Sequence, residues 1–112
     1  MKQIQAIIRR EKLGAVKQAL DAAHCPGMMV WEIEGHGKQK GVTEQFRGRE
    51  FKVDLLPKTK IEIVVSDQQT QAAIDAIVAG ARTGNIGDGK IFVSSLENVI
   101  RIRTGESGDS AV

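Results

Sequence analysis

Residues 84 to 91 read GNIGDGKI. Gly84, Gly89 and Lys90 fall on the fixed positions of the phosphate-binding pattern G-x-x-x-x-G-K, but the residue that should supply a hydroxyl is Ile91. Such a loop holds phosphate when it follows a strand and opens a helix, because the helix N-terminus then faces the anion. Here the order is reversed: a helical pattern ends near Arg82 and a strand pattern starts at Lys90. Ile91 also lacks the oxygen that would hold magnesium. The match to the motif is therefore accidental. Glycines at 84, 87 and 89 still let backbone N–H groups approach an anion, as in a nest. By itself the loop reads as a structural turn.

Other cations change the balance. Lys90 follows the loop directly. Arg101 and Arg103 alternate in VIRIRT and so share one face of a predicted strand. Two guanidiniums there repel unless they are exposed, matched by acids or holding an anion. A second glycine-rich stretch, GHGKQKG, sets Gly35, Gly37 and Gly41 around Lys38, Gln39 and Lys40. Each cluster alone has a plain reading: a solvated face for the arginines, a flexible hinge for the glycines. Three of them in one small chain point to a bound polyanion. Between residues 35 and 60, seven Lys or Arg outnumber three acids, a local charge of +4 in a chain of net charge +2. That asymmetry draws anionic ligands or acidic partners.

The elements that must position these residues follow from periodicity. A chain of 112 residues suits one domain, and 41% hydrophobic with 27% charged residues is the composition of a globular protein. No apolar run approaches the roughly 20 residues of a membrane span. The opening MKQIQAIIRR alternates instead of running apolar, so no signal peptide is expected and the protein reads as cytoplasmic. Cys25 is the single cysteine, which excludes an internal disulfide and a cysteine-rich metal site.

A period of two over residues 2–9 predicts a strand. Leu13, Val16, Leu20 and Ala23 have helical spacing, stopped by Cys25-Pro26-Gly27. MMVWEIE at 28–34 is rich in strand formers, and KIEIVV puts Ile61, Ile63 and Val65 on one face. Ser66 and Gln69 form a capping box ahead of a helix with Ile74, Ile77, Val78 and Ala81 on one side. KIFVSS is a fourth strand, and VIRIRT a short fifth. The order strand–helix–strand, repeated, places both helices on one face of a four-stranded sheet. This is an α+β, ferredoxin-like βαββαβ sandwich. Alternation gives the other face Gln3, Gln5, Ile7, Met29, Trp31, Ile33, Glu62, Val64 and Phe92. A face meant only for water would be more polar, so an oligomer that buries it is expected. Residues 37–56 have no helical period and exceed the roughly 12–15 residues of ordinary loops. With Phe46 and Phe51 this segment reads as a mobile arm that docks on a partner. The plainer reading is a long exposed hairpin with no role.

The stretches GKQKGVTEQFRGREFKVDLLPKTKIEIVV, ARTGNIGDGKIFV and VIRIRTGE resemble the PII signal-transduction family of nitrogen regulators, and with the strand–helix opening the resemblance covers nearly the whole chain. It implies a single PII-like domain over 1–112, with a flexible T-loop at 37–56 and a C-terminal tail at 105–112, assembled as a homotrimer. Members bind ATP or ADP in the clefts between subunits. They bind 2-oxoglutarate beside ATP and magnesium, and regulate transporters, enzymes and transcription factors through the T-loop. Carried over, Gly87-Asp88-Gly89 and Lys90 hold the phosphates, and Arg101 and Arg103 reach them from the adjacent subunit. Ile7 and Val64 flank the adenine, while Gly35, Gly37, Lys38 and Gln39 line the nucleotide. Gln39 joins the magnesium shell and Lys58 pairs with the distal carboxylate of 2-oxoglutarate. Gly37, Lys40, Gly41 and Gly87 add backbone contacts to it. Family members often carry Arg at the position of Lys38, and its loss removes a bidentate fork. They often carry Thr at the position of Met29, whose side chain offers adenine packing but no hydrogen bond.

The resemblance implies a regulator and no catalytic residue. Its targets in the family include an ammonium channel, glutamine synthetase, nitrogenase and an arginine-pathway kinase. Two other classes compete. A nucleotide-hydrolysing enzyme would need a positioned base, for which Asp88 and Glu62 are the candidates. An RNA-binding module of the same fold would need paired aromatics on the central strands, and only 4% of the residues are aromatic. Many relatives are uridylylated or adenylylated on a tyrosine at the position of Phe51. Phe51 has no phenol oxygen, the chain has no tyrosine, and Arg49 replaces a serine phosphorylated in another branch. Signalling is therefore expected to rest on ligand binding, with Thr43 the remaining hydroxyl of the arm.

Overall fold

The computed structural model describes residues 1–36 and 55–112 with their side chains, and between them the backbone of two strands, 43–46 and 49–52. In chain order the elements are β1 (Lys2–Ile8), α1 (Leu13–Ala22), β2 (Met29–Gly35), β3 (Thr43–Phe46), β4 (Arg49–Lys52), β5 (Leu56–Val65), α2 (Thr70–Ala81) and β6 (Lys90–Ser95). Four of the strands form one sheet in the order β2-β5-β1-β6, with every neighbouring pair antiparallel. Two helices cover one face. This is the ferredoxin-like arrangement that the period-two and period-3.6 patterns predict.

The pleat explains the core. On β1 and β5, Ile4, Ala6, Ile8, Ile61, Ile63 and Val65 point to the helices and are buried. They meet Val16 and Leu20 of α1 and Ala73, Ile77 and Ala81 of α2. Each large aliphatic side chain so buried contributes about 1.5–3 kcal/mol. Cys25 closes the same core, and its burial raises the thiol pKa. The α2 start has the predicted capping box. Ser66 Oγ accepts from the Gln69 N–H, and the Gln69 side chain accepts from the Ser66 N–H. The stop of α1 is built one step earlier than Cys25-Pro26-Gly27. His24 takes a left-handed φ of 61°, and the Cys25 N–H returns to Leu20 O at 2.9 Å.

Two features differ from the sequence expectation. VIRIRT does not form a fifth strand. Ile100 makes one isolated bridge with Ser107, because Gly105 N–H bonds Arg101 O and Arg101 N–H bonds Glu106 O, folding the segment back on itself. Arg101 and Arg103 therefore do not share a strand face. β5 starts at Leu56, ahead of KIEIVV, because Pro57, Lys58 and Thr59 pair with Glu34, Ile33 and Glu32. Within residues 37–56, β3 and β4 pair antiparallel from Thr43↔Lys52 to Phe46↔Arg49.

Helix–helix contact depends on a residue that periodicity does not mark. A Cβ on Gly80 would lie 2.8 Å from Val16 Cα and 2.9 Å from Val16 N. Two competing effects then decide the outcome of Gly80→Ala. Helix propensity favours Ala by about 1 kcal/mol. Overpacking against the rigid backbone of α1 costs about 1–3 kcal/mol. Gly80→Ala should therefore lower stability in denaturant melts. Gly14→Ala, which meets nothing within 4 Å, should be neutral or mildly stabilising. Equal effects at the two sites would refute the close-packing account.

Candidate functional site

The turn between α2 and β6 is organised by one carboxylate. Asp88 Oδ2 accepts from the Thr83 N–H at 2.8 Å and the Gly84 N–H at 2.9 Å. Its Oδ1 accepts from the Thr83 hydroxyl and from Arg9 Nε at 3.1 Å. Arg9 stands just beyond β1 and also donates Nη2 to Ile86 O at 2.8 Å. These donors hold the Asp88 carboxyl far below the usual carboxylate range, the Thr83 hydroxyl contributing most. The turn is pressed onto β1 as well. Gly89 has φ 104°, and a Cβ there would sit 1.6 Å from Ile7 O, so only glycine fits.

This geometry divides the loop's N–H groups. Gly84 N–H is taken by Asp88 and is not offered outward. Gly87 and Gly89, both at positive φ, and Lys90 line a groove of about 510 Å³ together with Ile7, His36, Asn85, Ile86, Asp88 and Phe92. Lys58 reaches the turn from β5. Its Nζ donates to Gly87 O at 2.7 Å, and the residue is only 9% exposed. Burial lowers its pKa first, and the charge of Arg9 lowers it further. Gly35 ends β2 opposite Leu56, where a Cβ would touch Lys58 Cγ at 3.4 Å. The structure thus brings Ile7, Gly35, Lys58, Gly87, Asp88, Gly89 and Lys90 together. Gly37, Lys38, Gln39, Lys40 and Gly41 lie outside the described residues.

Four predicted site residues lie elsewhere. Ile7 and Val64 are on the open face, as alternation predicts, but Val64 pairs with Gln3, four residues before Ile7 on β1. That is roughly 13 Å along the strand, so the two cannot flank one base within a chain. Met29 is half-exposed and pairs with Glu62 in a different row. Arg101 and Arg103 follow the far end of β6: Leu96 N–H bonds Met1 O, whereas Lys90 pairs with Ile7 at the near end. Arg101 binds Glu106 Oε1 at 3.2 Å and Ser110 O at 3.3 Å, and Arg103 is exposed.

Sequence reasoning missed Arg9 and His36. Arg9 closes a strand with no turn or motif signal around it. His36 was legible only as part of GHGKQKG. Glu62, the other carboxylate of the face, accepts from Gln3 Nε2 at 2.5 Å and Gln5 Nε2 at 3.1 Å. Those amides, Gln5 before Gln3, lower its pKa. Among the described residues no three His, Cys, Asp or Glu side chains are placed to hold a metal ion, and no helix is long and apolar enough to cross a membrane.

A carboxylate whose pKa is depressed in the fold adds stability that is complete above its unfolded pKa and is lost as pH falls towards the folded one. The contribution of Asp88 should be full at pH 7 and decline below about pH 4. Asp88→Asn puts an NH₂ group against at least one N–H donor, whichever way the amide turns. The variant should melt below wild type at pH 7, with faster amide exchange at Thr83 and Gly84. The gap should narrow below about pH 4, where the Asp88 carboxylate of the unfolded chain takes up a proton while the folded one is still ionised. A gap independent of pH would contradict the carboxylate's role.

The chain is similar to known proteins over its full length. Residues 1–106 match the family model described as "Nitrogen regulatory protein P-II". The protein called "Nitrogen regulatory protein P-II 2" of Methanothermobacter thermautotrophicus is 60% identical over 112 residues, covering 100% of this chain and 97% of that protein. Proteins called "Nitrogen regulatory protein P-II" from Rhodobacter capsulatus and Cereibacter sphaeroides are 57% and 55% identical over 112 residues, covering 100% of both chains in each case. The match over the whole ferredoxin-like sheet and its glycine turn places this chain in the nitrogen regulatory P-II family.

Proposed function

We propose that this chain is a cytoplasmic, non-catalytic regulator that forms a homotrimer, binds ATP or ADP in the clefts between subunits, binds 2-oxoglutarate beside ATP, and acts on a nitrogen-metabolism target through residues 37–56. The observation that carries the reading is the groove at residues 87–90. It has the backbone of Gly87 and Gly89 with Lys90 on one side, an exposed apolar sheet face beside it, and its two arginine partners at the other end of the sheet. A second copy supplies those arginines and a Val64 to face Ile7. The same assembly covers Met29, Trp31 and Phe92, which are 50%, 43% and 51% exposed.

Magnesium suits this donor set. It prefers hard oxygen ligands and keeps few from protein. The Gln39 amide oxygen, the ligand phosphates and the oxoacid provide them, and the ion offsets the repulsion between two anions. Lys58 and the amides of Gly37, Lys40, Gly41 and Gly87 fit the 2-oxoglutarate carboxylates. Hydrolysis is the weaker reading, since Asp88 and Glu62 already accept bonds from several donors and neither is a free base. RNA recognition is weaker too, because Trp31 and Phe92 lie on β2 and β6, the outer strands.

Calorimetry tests the proposal. Wild type should bind ATP, and Lys90→Ala or Arg103→Ala should each weaken it by about 2–5 kcal/mol, the cost of losing a charged partner of a buried phosphate. 2-Oxoglutarate should bind measurably only with ATP and magnesium, and should tighten ATP by the same factor. Unchanged ATP affinity would remove the substituted residue from the site. Equal 2-oxoglutarate affinity without nucleotide would contradict the shared-metal arrangement.

A further inference from the structure

We propose that His36 is an anion contact of this same groove, and that its charge makes phosphate binding tighten as pH falls. The inference rests on reading the groove as the nucleotide's phosphate site. His36 is the first residue beyond β2. Its position is fixed by what precedes it. Gly35 pairs with Leu56, and the space where its Cβ would be is bounded by Lys58 Cγ. Lys58 in turn crosses to Gly87 O. The end of β2, the side chain of Lys58 and the glycine turn are thereby tied together, and the His36 imidazole lines the groove shared with Gly87, Gly89 and Lys90. It is exposed, and among the described residues it makes no hydrogen bond or ion pair.

The surrounding charges decide what that imidazole does. Lys90 comes from β6 and Lys58 from β5, while Asp88 belongs to the turn. The Asp88 carboxylate is already matched by Arg9, Thr83 and Gly84. Lys90 is the cation that lines the groove with His36, and Glu34 stands two residues before His36 on β2. A polyphosphate favours an imidazolium at this position, since imidazolium offers N–H donors and forms charge-assisted bonds to phosphate oxygens. Histidine is the side chain that changes charge between about pH 5 and 8. Binding then takes up a proton, and by linkage lower pH favours the bound state. The second histidine of the chain, His24, ends α1 and does not line the groove.

The test is calorimetry of the full-length protein with ATP, without added magnesium, from pH 5.5 to 8.5. Comparison among variants cancels the titration of ATP's own phosphates. Wild type should bind about tenfold more tightly at the acid end than His36→Gln does, the factor of one pKa unit of imidazolium stabilisation. The two should converge at the alkaline end. His36→Lys should bind tightly with the shallow profile of His36→Gln, and His24→Gln should follow wild type. If His36→Gln keeps the wild-type profile, or if His24→Gln is the variant that flattens it, the inference is wrong while the nucleotide site stands. If wild type binds no ATP at any pH, the reading of the groove fails and the inference with it.

Discussion

One carboxylate determines the working surface of this protein. Asp88 gathers two backbone N–H groups, a hydroxyl and a guanidinium, and so closes the turn between α2 and β6. Without it the Thr83 and Gly84 N–H groups would compete with Gly87 and Gly89 for any anion. With it, charge is compensated on the inner side of the turn, and the outer side remains a cationic rim of Lys90 and glycine backbone. Arg9 extends the same constraint to the sheet, because its guanidinium holds both Asp88 and Ile86 O from the end of β1. Gly89 completes it by letting the turn lie on the Ile7 carbonyl. The turn is thereby bound to the central strand at its end.

Rigidity at one end of the sheet contrasts with the distribution of the other charges. β6 separates Lys90 from the segment that bears Arg101 and Arg103, and β1 separates Ile7 from the row of Val64. In the proposed site, Lys90 and Arg103 of a single chain are at opposite ends of β6. The open sheet face between them carries exposed Met29, Trp31 and Phe92, and Ile102 is fully exposed at 100%. Apolar area of this kind drives association, since each buried Å² contributes roughly 25 cal/mol. In the proposed homotrimer the same burial would bring Lys90 of one copy to Arg103 of another, and a ligand held by both would select among arrangements of the copies.

Much of this was legible in the sequence, for definite reasons. β1 and β5 announce themselves because one face is buried and the other is not, which forces a period of two, while β2 and β6 are marked by strand-forming residues. Ser66 and Gln69 marked the start of α2 because a capping box is local chemistry. Other features depend on contacts between distant residues and leave no local trace. Gly80 looks like a poor helix residue until Val16 lies against it. Arg9 looks like any surface arginine until the turn at Asp88 folds over it. VIRIRT shows how alternation misleads: Ile100, Arg101, Ile102 and Arg103 have the right period, yet Gly105 and the Arg101–Glu106 pair fold the segment back. The hairpin of β3 and β4 was one of two readings of its segment, and Arg47-Gly48 between two four-residue runs is its local signal.

The claim on which this account rests is that one ligand site is built from two copies of the chain. It can be tested by complementation. Lys90→Ala and Arg103→Ala proteins are unfolded together, refolded as a mixture, and titrated with ATP beside each protein refolded alone. A site shared between copies pairs the intact Lys90 of one variant with the intact Arg103 of the other. The mixture should then recover wild-type affinity at a fraction of its sites, while each variant alone stays weak. A mixture that binds no better than the two variants apart, with mass spectrometry showing that the chains have mixed, would contradict the account.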